Sequence, residues 1–381
     1  MLNGKKIKVL ECIRQGKIGG GESHLLSLVE NLDRNRFEPI VLSFTSGPMI
    51  EQLQQMGVET HVIYTEKPFD IRKWNAVKKL LLSKKIDLVH AHGTRANSNI
   101  LWASKKLKIP VIYTIHGWSF HPDQKPLVKT LRLLGEKYLT SRSTLNISVS
   151  QSNKESGKEL IPSFESVVVN NGINLQKFNP ADQFKDIRAE LKLSKDKILV
   201  LFIARFTLHK QPLTLLKAFA EALKQNTNMH LLMVGDGDQK EEAKQLIEYL
   251  QIGEHVTLEN FRQDVPDVLA AADIFVLPSL WEGLPIGLLE AMAMGKAIIA
   301  SNADGTREIV EHNKNGLLVS INALQKETTE ALVQLSQQPQ LRKELETNAR
   351  ATITERFNAI SMTRTIESIY TKLVSGTPVN N

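Results

Sequence analysis

The chain has 381 residues, 42% of them hydrophobic and 23% charged, with a formal net charge of +7. That balance excludes a disordered, collagen-like or coiled-coil chain and leaves room for two domains. A single cysteine, Cys12, allows no internal disulfide, no apolar run approaches the roughly 20 residues of a membrane-spanning helix, and no signal-peptide core precedes the first strand, so the cytoplasm is the expected compartment.

Charge is divided unevenly. Residues 1–175 carry 25 lysines and arginines against 15 acidic residues, a balance of +10, and the remainder carries 23 against 26. A basic first half attracts polyanions, whether nucleic acid, an anionic bilayer or a phosphorylated substrate. An aromatic content of 6% and the lack of a nucleic-acid motif argue against the first.

In chain order, apolar β-rich runs at 7–12, 39–44, 60–64, 88–91, 111–115, 145–149 and 167–169 predict buried parallel strands, followed by a second series at 198–204, 230–234, 256–258, 274–278, 297–300 and 316–319. Helical stretches such as 22–32 and 213–224 supply the crossovers. The turn-forming segment 170–180 follows an apolar strand and coincides with the change of charge sign, so domains are expected at 1–175 and 176–355. The fold class is α/β, two doubly wound Rossmann-like parallel-sheet domains facing a cleft, with ligands outside the carboxyl ends of the strands.

The motifs fall just after predicted strands. Gly19-Gly20-Gly21-Glu22-Ser23-His24 opens the first helix, where close backbone and a helix N-terminus suit a phosphate, although a plain tight turn explains it too. The stretch 70–85 holds Arg72, Lys73, Lys78, Lys79, Lys84 and Lys85 beside Trp74, Val77 and Leu80 to Leu82. A second, 122–142, holds Lys125, Lys129, Arg132, Lys137 and Arg142 with Leu127, Leu131, Leu133 and Leu134. These are either ordinary crossover helices or a peripheral bilayer surface. Histidines gather as His90-Ala91-His92-Gly93 and His116-Gly117, with His121 following. No metal-ligand spacing accompanies them, so no zinc site is expected, and His116 is the substrate-contact candidate because Gly117 permits close approach.

Further on, Arg205 and Lys210 suit a diphosphate or simply solvate a loop. Gly235-Asp236-Gly237-Asp238 looks like a carboxylate pair for a metal, yet a strand-to-helix turn explains it equally well. The richest stretch runs from Pro278 through Glu282-Gly283-Leu284-Pro285-Ile286-Gly287 to Glu290 and Gly295: a loop, then a helix starting near Pro285 and ending at Gly295. Its first amides and its two carboxylates, set among apolar residues, point to a polar ligand with paired hydroxyls, one Glu for a sugar ring and the other for a ribose. Gly305-Thr306-Arg307-Glu308 repeats the turn-then-helix device.

Together these residues resemble the family 4 retaining glycosyltransferases of the GT-B architecture, from Gly19 to about Val319, most densely between Arg205 and Glu308. The resemblance implies a metal-independent hexosyl or N-acetylhexosaminyl transferase. Its donor would be a nucleotide-diphosphate sugar, a UDP-sugar in first place, bound as a substrate rather than a cofactor to the second domain. The acceptor, a sugar, lipid-linked sugar or glycolipid, would bind the first, in bacterial cell-surface polysaccharide or lipopolysaccharide synthesis at the inner membrane face. It assigns Arg205 and Lys210 to the diphosphate, Glu282 with the Gly283, Leu284, Pro285, Ile286 and Gly287 backbone to the donor sugar, and Glu290 to the ribose. His116 would meet the sugar near the leaving phosphate, and Gly20 and Gly21 the diphosphate from the facing domain. A helix at about 356–373, within a helical pattern spanning 351–373, would return to the first domain. Two positions depart from the family pattern: Gln211 stands where Gly is usual, and Arg307 where Pro is frequent. A nucleotide-sugar 2-epimerase of the same architecture and a noncatalytic sugar-nucleotide sensor are the rival readings.

Overall fold

The computed structural model describes residues 5–17, 19–120 and 124–379. Its first half alternates β1 (Ile7–Ile13), α1 (Gly20–Asn31), β2 (Phe37–Ser43), α2 (Pro48–Gln55), β3 (Glu59–Val62), α3 (Ile71–Lys84), β4 (Leu88–His92), α4 (Thr94–Lys106), β5 (Val111–Ile115), α5 (Pro126–Arg142), β6 (Leu145–Ser148), α6 (Gln151–Leu160) and β7 (Val167–Val168). The second comprises α7 (Ile187–Glu190), β8 (Ile198–Ile203), α8 (Pro212–Leu223), β9 (Met229–Val234), α9 (Lys240–Tyr249), β10 (Val256–Glu259), α10 (Val265–Ala271), β11 (Ile274–Leu277), α11 (Ile286–Ala293), β12 (Ala297–Ser301), β13 (Leu317–Val319), α12 (Leu324–Gln337), α13 (Pro339–Arg356) and α14 (Ala359–Val374).

All strand pairs are parallel. The sheets run β3-β2-β1-β4-β5-β6-β7 and β10-β9-β8-β11-β12-β13. Each therefore reverses its winding once, between β1 and β4 and between β8 and β11, the switch points where such sheets bind ligands. Strands covered by helices on both faces need continuous apolar sequence, and β8, Ile-Leu-Val-Leu-Phe-Ile, is the clearest case. Phe202 and Val200 pack with Leu215, Leu216 and Phe219 of α8. Truncating one such buried aromatic to Ala costs about 3–5 kcal/mol.

Two compact units result, residues 1–172 with 359–381, and residues 173–358. The helical pattern at 351–373 is in fact two helices. Non-helical backbone at Phe357 and Asn358 separates them because it pairs with residue 173: the Ile173 N–H donates to the Phe357 carbonyl at 2.8 Å, and Ile173 bridges Asn358. Residues 173–175 and 356–358 consequently belong to the second unit. Beyond the break, α14 buries Met362, Ile366, Ile369 and Tyr370 against Ile7, Val9, Leu28, Phe37, Leu88 and Ile112 of the first unit. Among the described residues no helix is long and apolar enough to cross a membrane.

Candidate active site

In the second unit the predicted residues meet at the carboxyl ends of β8 and β11. Chain leaving β8 carries exposed Arg205, then Lys210 on a short turn, Leu208–Lys210. That loop is fixed from two sides. The Phe206 N–H donates to the Asp236 carbonyl (3.0 Å), and the Gln239 N–H to the Phe206 carbonyl (2.9 Å). A Cβ on Gly235 or Gly237 would lie 2.0 Å from the Ala204 carbonyl oxygen or 2.3 Å from that of Phe206, so the Gly-Asp-Gly-Asp run serves close backbone packing. On the other side, the Leu280 N–H donates to the His209 carbonyl (2.8 Å), and the His209 and Trp281 rings stack at 5.3 Å. This docking brings Lys210 Nζ into an ion pair with Glu282 Oε1, the two side chains only 16% and 10% exposed.

Helix α11 then starts after Pro285. Its ladder opens with the Leu288 and Leu289 N–H groups on the Pro285 carbonyl, so the Ile286 and Gly287 amides precede it at the positive end of the helix. Gly295, at φ +62°, follows the helix in the left-handed conformation. Burial raises the Glu290 carboxyl to about 7, against an opposing pull from Lys177. The Gly305 turn packs directly on this loop: its N–H donates to the Glu282 carbonyl (3.2 Å), and a Cβ there would stand 1.8 Å from the Gly283 oxygen.

Both departures from the family pattern have local solutions. Gln211 adopts the left-handed conformation (φ 56°, ψ 43°) that glycine favours. Its own side chain holds it there, Nε2 donating to the Leu208 carbonyl (2.6 Å) and Oε1 accepting from the Thr214 hydroxyl (2.5 Å). Arg307 supplies an N–H to the Ala303 carbonyl (3.1 Å) that proline lacks, and its guanidinium pairs with Asp304 at 3.0 Å.

In the first unit, side chains alternate across the sheet, so Glu11, His90, His92, Thr114 and His116 project from one face at the β1/β4 switch point and beside it. Helices α1 and α14 cover that face and add His24 and Tyr370. Glu11 Oε2 accepts from His92 Nε2 at 2.9 Å, and Oε1 from the Tyr370 hydroxyl at 2.6 Å. His92 Nδ1 lies 3.1 Å from His116 Nε2, and His24 Nδ1 2.9 Å from Asn171 Oδ1. His90 reaches the Tyr370 hydroxyl with Nδ1 (2.5 Å) and that of Thr114 with Nε2 (2.7 Å). Gly21 rests on the His116 ring, where a Cβ would lie 3.4 Å from Cδ2, while Gly20 has open space. Arg14 pairs with buried Glu22 at 3.5 Å.

Burial and neighbouring imidazoles hold His90 and His116 well below the ordinary histidine value, Arg14 adding to the effect on His116, and bring His24 to about 3. These three imidazoles are neutral at pH 7. The expectation that no metal-ligand constellation exists is corrected here: ligand atoms of His24, His92 and His116 lie within 4.8 Å of one another, as do those of Glu11, His90 and His92. In the second set every nitrogen and oxygen named above already has a protein partner. Spacing along the chain hid the cluster because its members come from separate elements. Sequence reasoning missed Glu11, Arg14, Asn171 and Tyr370. A lone carboxylate inside the apolar run of β1 was the available signal. His121 lies outside the described residues.

Residues 18–177 match the family described as Glycosyltransferase Family 4, and residues 183–352 that described as Glycosyl transferases group 1. Structurally the chain is similar to Anabaena HepE in complex with UDP and glucose, with a TM-score of 0.84 and 24% identity over 96% of this chain and 100% of that one. The chain is a family 4 glycosyltransferase of the GT-B architecture. An Escherichia coli UDP-Gal:alpha-D-GlcNAc-diphosphoundecaprenol alpha-1,3-galactosyltransferase is 28% identical over 97% of this chain and 98% of its own length. A Campylobacter jejuni N,N'-diacetylbacillosaminyl-diphospho-undecaprenol alpha-1,3-N-acetylgalactosaminyltransferase is 29% identical over 83% of this chain and 86% of its own.

The two basic stretches of this glycosyltransferase differ in what they expose. In α3, Val77 and Leu81 are buried and Trp74 stacks on Trp102 at 5.4 Å, so most of its apolar residues belong to the core. In α5, Leu127, Leu131, Leu134 and Tyr138 are 72%, 61%, 58% and 51% exposed, one stripe at helical spacing. Phe69 extends it beside Tyr138, with ring centroids 6.3 Å apart, and Lys125, Lys129, Arg132, Lys137 and Arg142 flank it.

Proposed function

We propose that this glycosyltransferase moves a hexosyl or N-acetylhexosaminyl group from a UDP-sugar to a sugar carried on a lipid diphosphate, with retention at the anomeric carbon and without a metal, in bacterial surface-polysaccharide synthesis. The Lys210–Glu282 pair carries the reading. Each member neutralises the other, and a nucleotide-diphosphate sugar satisfies both at once, its phosphates meeting Lys210 and Arg205 and its hydroxyls meeting Glu282. The α11 amides at Ile286 and Gly287 add positive potential, with the Gly283 to Pro285 backbone beside them, and Glu290 accepts from the ribose hydroxyls. As the sugar leaves, the departing phosphate oxygen takes the acceptor's proton while Arg205 and Lys210 hold its charge. In the first unit, His116 meets a sugar hydroxyl and the Gly20 and Gly21 amides a phosphate. The E. coli and C. jejuni relatives, both named for lipid-diphosphate-linked acceptors, support the acceptor class. Neither carries the name of an epimerase, the rival reading that consumes a donor without an acceptor.

A lipid-borne acceptor calls for a membrane surface, and the α5 stripe with its basic flank suits an anionic one, each nearby Lys or Arg contributing about 1 kcal/mol. Two measurements test the proposal. A thermal-shift screen of UDP-, GDP-, ADP- and TDP-sugars should show stabilisation by UDP-sugars, about 2.7 kcal/mol at 100 times the dissociation constant. A shift with another nucleotide family alone would overturn the donor assignment. Vesicle sedimentation at low salt should favour anionic over neutral lipid, and equal binding to both would remove the membrane surface.

A further inference from the structure

The buried cluster of the first unit has a direction, and hydrogen counting supplies it. A carboxylate only accepts. Both Glu11 oxygens are engaged, Oε1 by the Tyr370 hydroxyl and Oε2 by His92 Nε2, so the His92 proton sits on Nε2. An imidazole with one proton then offers a lone pair at Nδ1. His116 Nε2, 3.1 Å away, must donate to it. His116 thereby carries its own proton on Nε2 and a bare lone pair on Nδ1, a buried atom with no hydrogen-bond partner among the described residues. The Tyr370 hydroxyl has already given its proton to Glu11, so it accepts from His90 Nδ1, and His90 Nε2 in turn accepts from Thr114. Every bond in the network agrees with one polarity.

We propose that Glu11, His92 and Tyr370 form a positioning relay that locks His116 in the Nε2–H tautomer, making His116 Nδ1 a fixed acceptor for one hydroxyl of the bound sugar. The inference rests on the reading above that His116 meets a substrate hydroxyl. An acceptor of fixed sense selects a group that can donate, so a sugar with hydrogen or fluorine in place of that hydroxyl is disfavoured. Among the described residues the same tautomer leaves a buried acceptor without a partner, an arrangement that is costly unless a ligand uses it. His24, His92 and Arg14 act on His116, and each disfavours a second proton on it. The relay also gives α14 a role in the site: the last helix of the chain delivers the hydroxyl that orients Glu11.

The test is the nitrogen spectrum of the full-length protein labelled with ¹⁵N-histidine, which separates protonated from bare ring nitrogens without any substrate. His92 and His116 should each show Nε2–H and a bare Nδ1. In Glu11→Gln the amide oxygen keeps the Tyr370 bond and the amide nitrogen donates to His92 Nε2, so both histidines should move their protons to Nδ1. A wild-type His116 protonated on Nδ1, a doubly protonated His92, or tautomers unmoved in folded Glu11→Gln would overturn the relay. Should that variant not fold, the wild-type spectrum alone decides. Turnover separates the relay from the function it serves: a reversed His116 Nδ1–H donates to the hydroxyl instead of accepting from it, so Glu11→Gln should lose about ten- to a hundredfold of the wild-type preference in kcat/KM for the hydroxyl-bearing sugar over its fluoro analogue. Reversed tautomers with an undiminished preference would overturn the role of His116 and leave the hydrogen-bond polarity standing.

Discussion

Glu290→Gln should make the protein more stable and a worse enzyme. The folded chain holds the Glu290 proton up to a pKa of about 7, while an unfolded chain releases it near 4.5. Between those values the native state binds more protons, so its stability falls as pH rises. The benefit of the protonated carboxyl is complete below about 4.5 and lost as pH passes through about 7. Above that the fold carries an ionised, desolvated carboxylate at a cost of up to about 3 kcal/mol, taking 1.36 kcal/mol per pKa unit. Glutamine keeps the shape without the charge. The variant should therefore match wild type in thermal unfolding at pH 4.5 and exceed it at pH 8 by up to about 6–12 °C, at roughly 2–4 °C per kcal/mol. Its affinity for the UDP-sugar should fall about 10- to 100-fold, the worth of a charged hydrogen bond. Wild-type donor affinity should accordingly strengthen as pH rises through about 7. An equal or lower melting temperature for the variant at pH 8, or an unchanged donor affinity, would contradict this role of Glu290.

Lys210→Ala should cost two or more orders of magnitude in kcat with the fold retained, since leaving-group charge then lacks a preorganised cation; rates near wild type would defeat the diphosphate assignment. Gly305→Ala forces a methyl against the Gly283 carbonyl. Melting should show a loss of about 1–3 kcal/mol, as for overpacking, together with weakened donor binding. Transfer should persist in excess EDTA, and its loss with recovery on adding magnesium or manganese would sink the metal-free mechanism. Leu131→Glu, which places a charge in the exposed α5 stripe, should abolish sedimentation with anionic vesicles and leave turnover on a water-soluble acceptor within about twofold, the usual neutrality of surface changes.

Much of this architecture was legible because parallel strands buried on both faces must be continuous apolar runs. Every predicted run overlaps an observed strand, with ends that differ by at most two residues. The grouping of Arg205, Lys210, Glu282 and Glu290 was legible for a related reason: they follow strands at a switch point, and the topology brings their loops together. The first unit resisted. His90, His92 and His116 looked like isolated histidines because their partnership depends on strand register, with Glu11 opposite His90, and on two helices distant in sequence. The break at Phe357 and Asn358 was also hidden, since helical periodicity continues across it and only pairing with Ile173 interrupts it. In α3, amphipathic spacing concealed which apolar side chains the neighbouring α4 would cover.

The most direct test is the reaction itself. The full-length protein, a polyprenyl-diphosphate-linked N-acetylhexosamine and each UDP-sugar in turn should be combined, and the product examined by mass and by the proton coupling at the new anomeric centre. Wild type should form a lipid-linked disaccharide with the donor's α configuration, and Lys210→Ala should form it at least about a hundredfold more slowly. An inverted linkage would contradict the retaining mechanism, and donor consumed without a lipid-linked product would contradict glycosyl transfer to a lipid-borne sugar.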